Sequence, residues 1–80
     1  MAFENFFVID EHGRSCGVSQ FQWCEVEEWD GSRARVVVLD RDDDLGVIGI
    51  MYPDFVAHVV DLSYFEDIVR AVRQEWFVVD

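Results

Sequence analysis

Glu27-Glu28-Trp29-Asp30-Gly31-Ser32-Arg33-Ala34-Arg35-Val36-Val37-Val38 carries the strongest local signal in the chain. Asp-Gly is the dipeptide that tight hairpin turns select, because their backbone needs positive φ. The runs on either side are β-prone, rich in valine and aromatic residues. A strand over residues 17–29, long enough to accommodate a bulge, therefore meets a strand over residues 33–40. A two-residue loop sets Glu28 opposite Arg33; a three-residue loop sets Glu27 opposite Arg35. Both pair opposite charges, which supports the hairpin and leaves its register open.

Upstream, residues 3–10 form a first strand, and Glu11-His12-Gly13-Arg14 is a turn with Gly13 free to take positive φ. Downstream, residues 41–44 form a loop. Residues 45–52 make a further strand, in which Gly46 and Gly49 leave room on one face. The β-branched run 55–60 reads as another strand. Ser63-Tyr64-Phe65-Glu66 then has the form of a capping box. Phe65, Ile68, Val69, Val72 and Trp76 recur at helical spacing behind it, and Glu66 and Arg70 sit four apart in the favourable order. These features predict a helix over residues 64–75, followed by a short strand over 77–79. The fold class is α+β: a small antiparallel β-sheet of four to five strands packed against one C-terminal α-helix, in one domain.

Charge sets the second constraint. Seventeen carboxylates face six basic side chains, all arginine, giving a formal charge of −11 on 80 residues. Such a field repels nucleic acid and anionic membranes and attracts basic surfaces. With 51% hydrophobic and 15% aromatic residues the chain is too apolar for a disordered acidic tail. The N-terminus lacks a basic region and a small-residue cleavage site, and no apolar run reaches the roughly 20 residues of a membrane span. The expectation is a cytoplasmic protein with two reduced thiols, Cys16 and Cys24.

The motifs for chemistry fail on spacing. Asp40, Asp42 and Asp44 alternate like ligands of a calcium loop, but Leu45 stands where glycine is needed and Met51 where a bidentate glutamate is needed. His12, Cys16, Cys24 and His58 lack the steps that bring zinc ligands to one ion. No glycine-rich phosphate loop is present. The expectation is a non-enzymatic protein without cofactor or metal.

Position makes the acidic groups informative. Glu25 and Glu27 alternate on a strand and share a face, roughly 7 Å apart, comparable to successive phosphates of a polynucleotide. Eight carboxylates lie between Glu25 and Asp44. Phe21 and Trp23 share the face of Glu25 and Glu27, and aromatic anchors beside carboxylates suit an interface. The expected partner-binding set is Trp23, Glu25, Glu27, Glu28, Trp29, Asp30, Asp42, Asp43 and Asp44.

In size, acidity and absence of catalytic residues the chain resembles small phage-encoded antagonists of bacterial defence, the anti-CRISPR and anti-restriction proteins. The resemblance is compositional and carries over no residue. It implies an inhibitor that mimics nucleic acid and occupies a basic nucleic-acid-binding complex. An immunity protein against a basic nuclease toxin would use the same physics. A homodimeric or larger structural or adaptor protein, its aromatics sealing a subunit interface, is the alternative from another class.

Overall fold

In a computed structural model, residues 6–78 are described. The elements run β1 (Phe6–Ile9), β2 (Ser15–Val18), β3 (Gln22–Glu27), β4 (Arg33–Asp42), β5 (Val47–Met51), β6 (Ala57–Asp61), α1 (Leu62–Ile68) and β7 (Val69–Trp76). β1 and β2 form a two-stranded ribbon; the other five strands form an antiparallel sheet in the order β6-β5-β4-β3-β7. The α+β class holds. The start of the expected first strand and the end of the expected last one, residues 3–5 and 79, lie outside the described residues.

One face of the sheet is the core. Cys24, Val26, Val36, Val38, Ile48 and Ile50 point to it, and it is covered by Phe6 and Val8 of the ribbon and Phe65 and Ile68 of α1. Alternation explains the choice, since β3 reads buried, half-buried, buried along its length. The opposite face presents Trp23, Glu25 and Glu27, with Val37 fully buried beside Trp23. β4 spans the whole sheet: its first half pairs with β3, its second half with β5, and a bulge falls near Leu39.

Several expectations are corrected. The strand over 17–29 is two strands in different sheets, broken at Phe21, which adopts φ 67°. Phe21 therefore does not share the strand face of Trp23. The hairpin register pairs Glu25 with Arg35 and Glu27 with Arg33, neither of the two pairings expected. Its loop is longer, closed by Glu28 N–H donating to the Ser32 carbonyl at 2.8 Å and Gly31 N–H to the Glu28 carbonyl at 2.9 Å.

The helix ends at Ile68, and the rest of the expected helix is β7. Val69 and Val72 suit a strand as well as a helix, and β3 would otherwise leave its backbone unpaired beside the core. β7 supplies that ladder with two register shifts, and the Gln22 side-chain amide donates to the Arg73 carbonyl at 2.9 Å. The capping box does not form: Asp61 is the N-cap residue, without a side-chain cap, and Ser63 lies inside the helix. The expected Glu66–Arg70 pair is lost with the second half of the helix.

Candidate functional site

The expected contact residues fall into two groups at opposite ends of β4. Glu25, Glu27, Glu28, Trp29 and Asp30 gather at the β3–β4 turn. Asp42, Asp43 and Asp44 sit at the β4–β5 turn. Ten residues of strand separate the groups, roughly 30 Å at about 3.3 Å per residue. They do not form one patch.

Two carboxylates of the first group, Glu25 and Glu27, are neutralised. Glu25 accepts from Arg73 Nη1 at 2.8 Å. Glu27 lies 3.5 Å from both Arg33 Nε and Arg70 Nη2. Arg33 also reaches Glu11 at 3.0 Å, and Glu75 bridges Arg35 and Arg73. Arg33, Arg35, Arg70 and Arg73 thus interleave with Glu11, Glu25, Glu27 and Glu75. The Arg35 and Arg73 side chains hold the Glu75 carboxyl below its ordinary range. Arg35 also lies over the Trp23 ring, 5.1 Å from its centroid, and Trp23 meets Phe77 edge-on at 6.2 Å. A lattice of this kind projects little field beyond a screening length of roughly 8 Å.

Glu28 and Asp30 have local structural work. Glu28 accepts from the Tyr52 hydroxyl, and from the Tyr64 hydroxyl at 3.2 Å. Burial, and then the Glu28 carboxylate, push both phenols up. Asp30 accepts from Ser32 N–H at 2.9 Å and Ser32 Oγ at 2.6 Å, which lowers its pKa. Trp29 is 85% exposed and stacks on Tyr64 with ring centroids 6.5 Å apart. Beside it Glu28, Asp67, Ile68 and Arg70 line an open cleft of about 330 Å³.

The second group keeps its charge. Asp42 accepts from Asp44 N–H at 3.0 Å and Leu45 N–H at 3.1 Å, shaping the turn through its carboxylate. Asp43 pairs with Arg41 Nε at 2.7 Å, which lowers its pKa. Arg41 itself turns to the core face, its guanidinium 4.5 Å from the Phe6 ring centroid. Asp44 and Asp61 have no ion pair or side-chain hydrogen bond with any described residue. The strand pairing sets Asp42, Val47 and Asp61 in one row across three strands. Asp40, Asp42, Asp43, Asp44 and Asp61 therefore surround one end of the sheet, opposed by Arg41.

Asp61 was missed from the sequence, and Asp40, counted there among the eight carboxylates, was left out of the expected contact set. Asp61 comes beside Asp42 only through the pairing of β5 with β6. Among the described residues, no group of three or more histidine, cysteine, aspartate or glutamate side chains is placed to hold a metal ion, and no helix is long and apolar enough to cross a membrane. Comparison with protein-family models, curated proteins and solved structures finds no match to this chain.

Proposed function

We propose that this chain is a non-enzymatic, cytoplasmic acidic inhibitor that occupies the nucleic-acid-binding surface of a basic protein, in the manner of the anti-CRISPR and anti-restriction proteins it resembles. The observation that carries this reading is the division of charge along β4. One half of the sheet holds matched ion pairs, with Glu28 and Asp30 at its turn bonded to hydroxyls in place of arginines; the other end holds five aspartates against Arg41. On the outer face Asp40 and Asp42 stand roughly 7 Å apart, close to the spacing of phosphates along a strand. Arginines and lysines that otherwise grip phosphates would find carboxylates in comparable positions, and the local field would speed encounter. The active part of the expected set is thus Asp42, Asp43 and Asp44, extended by Asp40 and Asp61. Trp29, exposed roughly 30 Å away, would be a separate anchor.

The test is displacement. Purified CRISPR effector and restriction complexes are loaded with a fluorescent duplex, and release is followed by anisotropy as the chain is added. Release by the wild-type chain, weakening steeply with salt, is the expected result. Replacing Asp42, Asp43 and Asp44 together by asparagine should slow association about tenfold or more at low salt. Release that is independent of salt, or unchanged in the triple variant, would overturn the charge mechanism. Basic nuclease toxins belong in the same panel, because an immunity protein would act through the same groups.

A further inference from the structure

We infer that β6 is a docking edge that accepts an extended, cationic segment of the partner by backbone pairing. The inference rests on the acidic end of the sheet being the contact face and names how that face engages.

The sheet has two edges, and they are built differently. β7 carries Arg70, Arg73 and Glu75 along its length and shifts register twice against β3. The Arg70 carbonyl also accepts from Glu11 N–H at 3.0 Å, so the ribbon's turn covers part of that edge. Charges, irregularity and cover are the devices by which sheets blunt an edge. β6 has none of them over Ala57-His58-Val59-Val60. It pairs with β5 through five successive residues without a shift. Val59 is 74% and Phe55 71% exposed.

The direction of its free groups follows from the ladder. Leu62 N–H donates to the Gly46 carbonyl at 2.9 Å. Gly46 opposite Leu62 continues the register in which Ile48 faces Val60 and Ile50 faces His58. Antiparallel pairs alternate between hydrogen-bonded and open positions. Val60 and His58 therefore bond inward to β5, while the N–H and C=O groups of Ala57 and Val59 and the N–H of Asp61 point away from the sheet; the Asp61 carbonyl serves α1 as its N-cap. Among the described residues none bonds to them.

Charge selects the occupant. Asp54 and Asp61 bracket β6, and Asp40 and Asp42 lie on the neighbouring face of the same sheet end. A second copy would bring another −11 to that edge. A segment alternating arginine or lysine with apolar residues would pair its backbone with Ala57 and Val59 and with the N–H of Asp61. It would lay its apolar side chains beside Val59 and set its cations against the aspartates.

The probe is a short peptide of alternating arginine and valine, with a glutamate–valine peptide as control. In the free wild-type chain the amides of Ala57, Val59 and Asp61 should exchange rapidly with deuterium; the cationic peptide should protect them. Val59→Pro removes an outward donor and leaves the inward ladder intact. It should weaken peptide binding about tenfold, the scale of a lost hydrogen bond, with a melting curve close to wild type. Protection confined to residues 42–46, or equal binding by Val59→Pro, overturns the pairing. If that variant still displaces duplex with the wild-type salt dependence, the inhibitor reading survives without it. Equal binding of the control peptide overturns the cationic occupant. A wild-type dimer in sedimentation that already protects these amides shows a second copy to be the occupant and overturns the inference.

Discussion

The unpaired aspartates should lower the stability of the chain that carries them, and the size of the effect follows from the strand register. Asp42 and Asp61 face the same side across two strand intervals, roughly 10 Å at about 4.8 Å each. Asp40 lies two residues from Asp42, roughly 7 Å away, and roughly 12 Å diagonally from Asp61. In the dielectric of water these separations cost, in that order, about 0.4, 0.6 and 0.35 kcal/mol, about 1.4 kcal/mol before screening. Screening lengths of roughly 20 Å at 20 mM salt and 6 Å at 300 mM leave about 0.9 and 0.3 kcal/mol. For a domain of this size 1 kcal/mol moves Tm by about 4–8 °C. The triad should therefore raise Tm by about 2–5 °C between those salt concentrations. The variant Asp40→Asn/Asp42→Asn/Asp61→Asn should melt about 4–7 °C above wild type at 20 mM and respond less to salt. The unfolded chain keeps part of the repulsion, so these values are ceilings. Asparagine retains the Oδ1 acceptor that Asp42 offers to Asp44 and Leu45, so the turn is not the variable. Circular dichroism melts across the salt series are the assay. A variant that melts no higher than wild type at low salt, with an equal salt slope, would show that these charges do not repel and refute the reasoning.

Phe65→Ala should remove about 3–5 kcal/mol from a chain whose whole stability is about 4–12 kcal/mol, because Phe65 is fully buried and packs edge-on against Phe6; denaturant titration reads the loss. Asp10 is held at about pKa 2, below the ordinary 3.8, chiefly by the Arg14 N–H, with His12 N–H and the Arg14 side chain adding to it. A lowered carboxylate pKa gives stability that is complete above the ordinary value and lost as pH falls through the folded one, so Asp10→Asn should flatten the urea midpoint between pH 3.8 and about 2. Burial pushes the Cys24 thiol up to about 12; burial and the Asp10 carboxylate also raise Cys16, but its part-exposed sulfur is within reach of the reagent. Mass spectrometry after iodoacetamide at mildly alkaline pH should show alkylation of Cys16 alone in the folded chain, and of Cys24 only with denaturant.

The hairpin at Asp30-Gly31 was legible because its signal is local. Its register was not, since Glu25, Glu27 and Glu28 against Arg33 and Arg35 offer opposite charges in several alignments. The strand break at Phe21 has no sequence signal: a bulky residue in the left-handed region is held there by its surroundings, here a hydrogen bond from Phe21 N–H to the Val38 carbonyl at 2.6 Å. The helix was half legible. Phe65, Ile68 and Val69 are buried as its apolar stripe requires, but Val69 and Val72 also fit a strand, and only the distant demand of β3 chooses between them. The candidate site shows the same division. That Glu25 and Glu27 share a face followed from alternation alone. That they are neutralised by Arg73 and Arg70 did not, because those partners lie 48 and 43 residues away in sequence.

The distribution of arginine ties the fold to the proposed role. Six cations cannot balance seventeen carboxylates, so the fold must leave some carboxylates without an arginine. Four of the six lie in the β3–β4–β7 half, and Arg14 is held by Asp10. Arg41, nearest the aspartates, is drawn to the core face over Phe6. An acidic surface serving solubility alone has no use for this arrangement, because spreading the charges lowers the repulsion at equal net charge. Concentrating them beside an edge whose backbone groups stay free sacrifices a fraction of a kcal/mol of stability for a surface that repels its own copies and attracts cations. That combination favours pairing with a foreign basic segment over self-association, and it is the physical basis for reading this end of the sheet as the contact face.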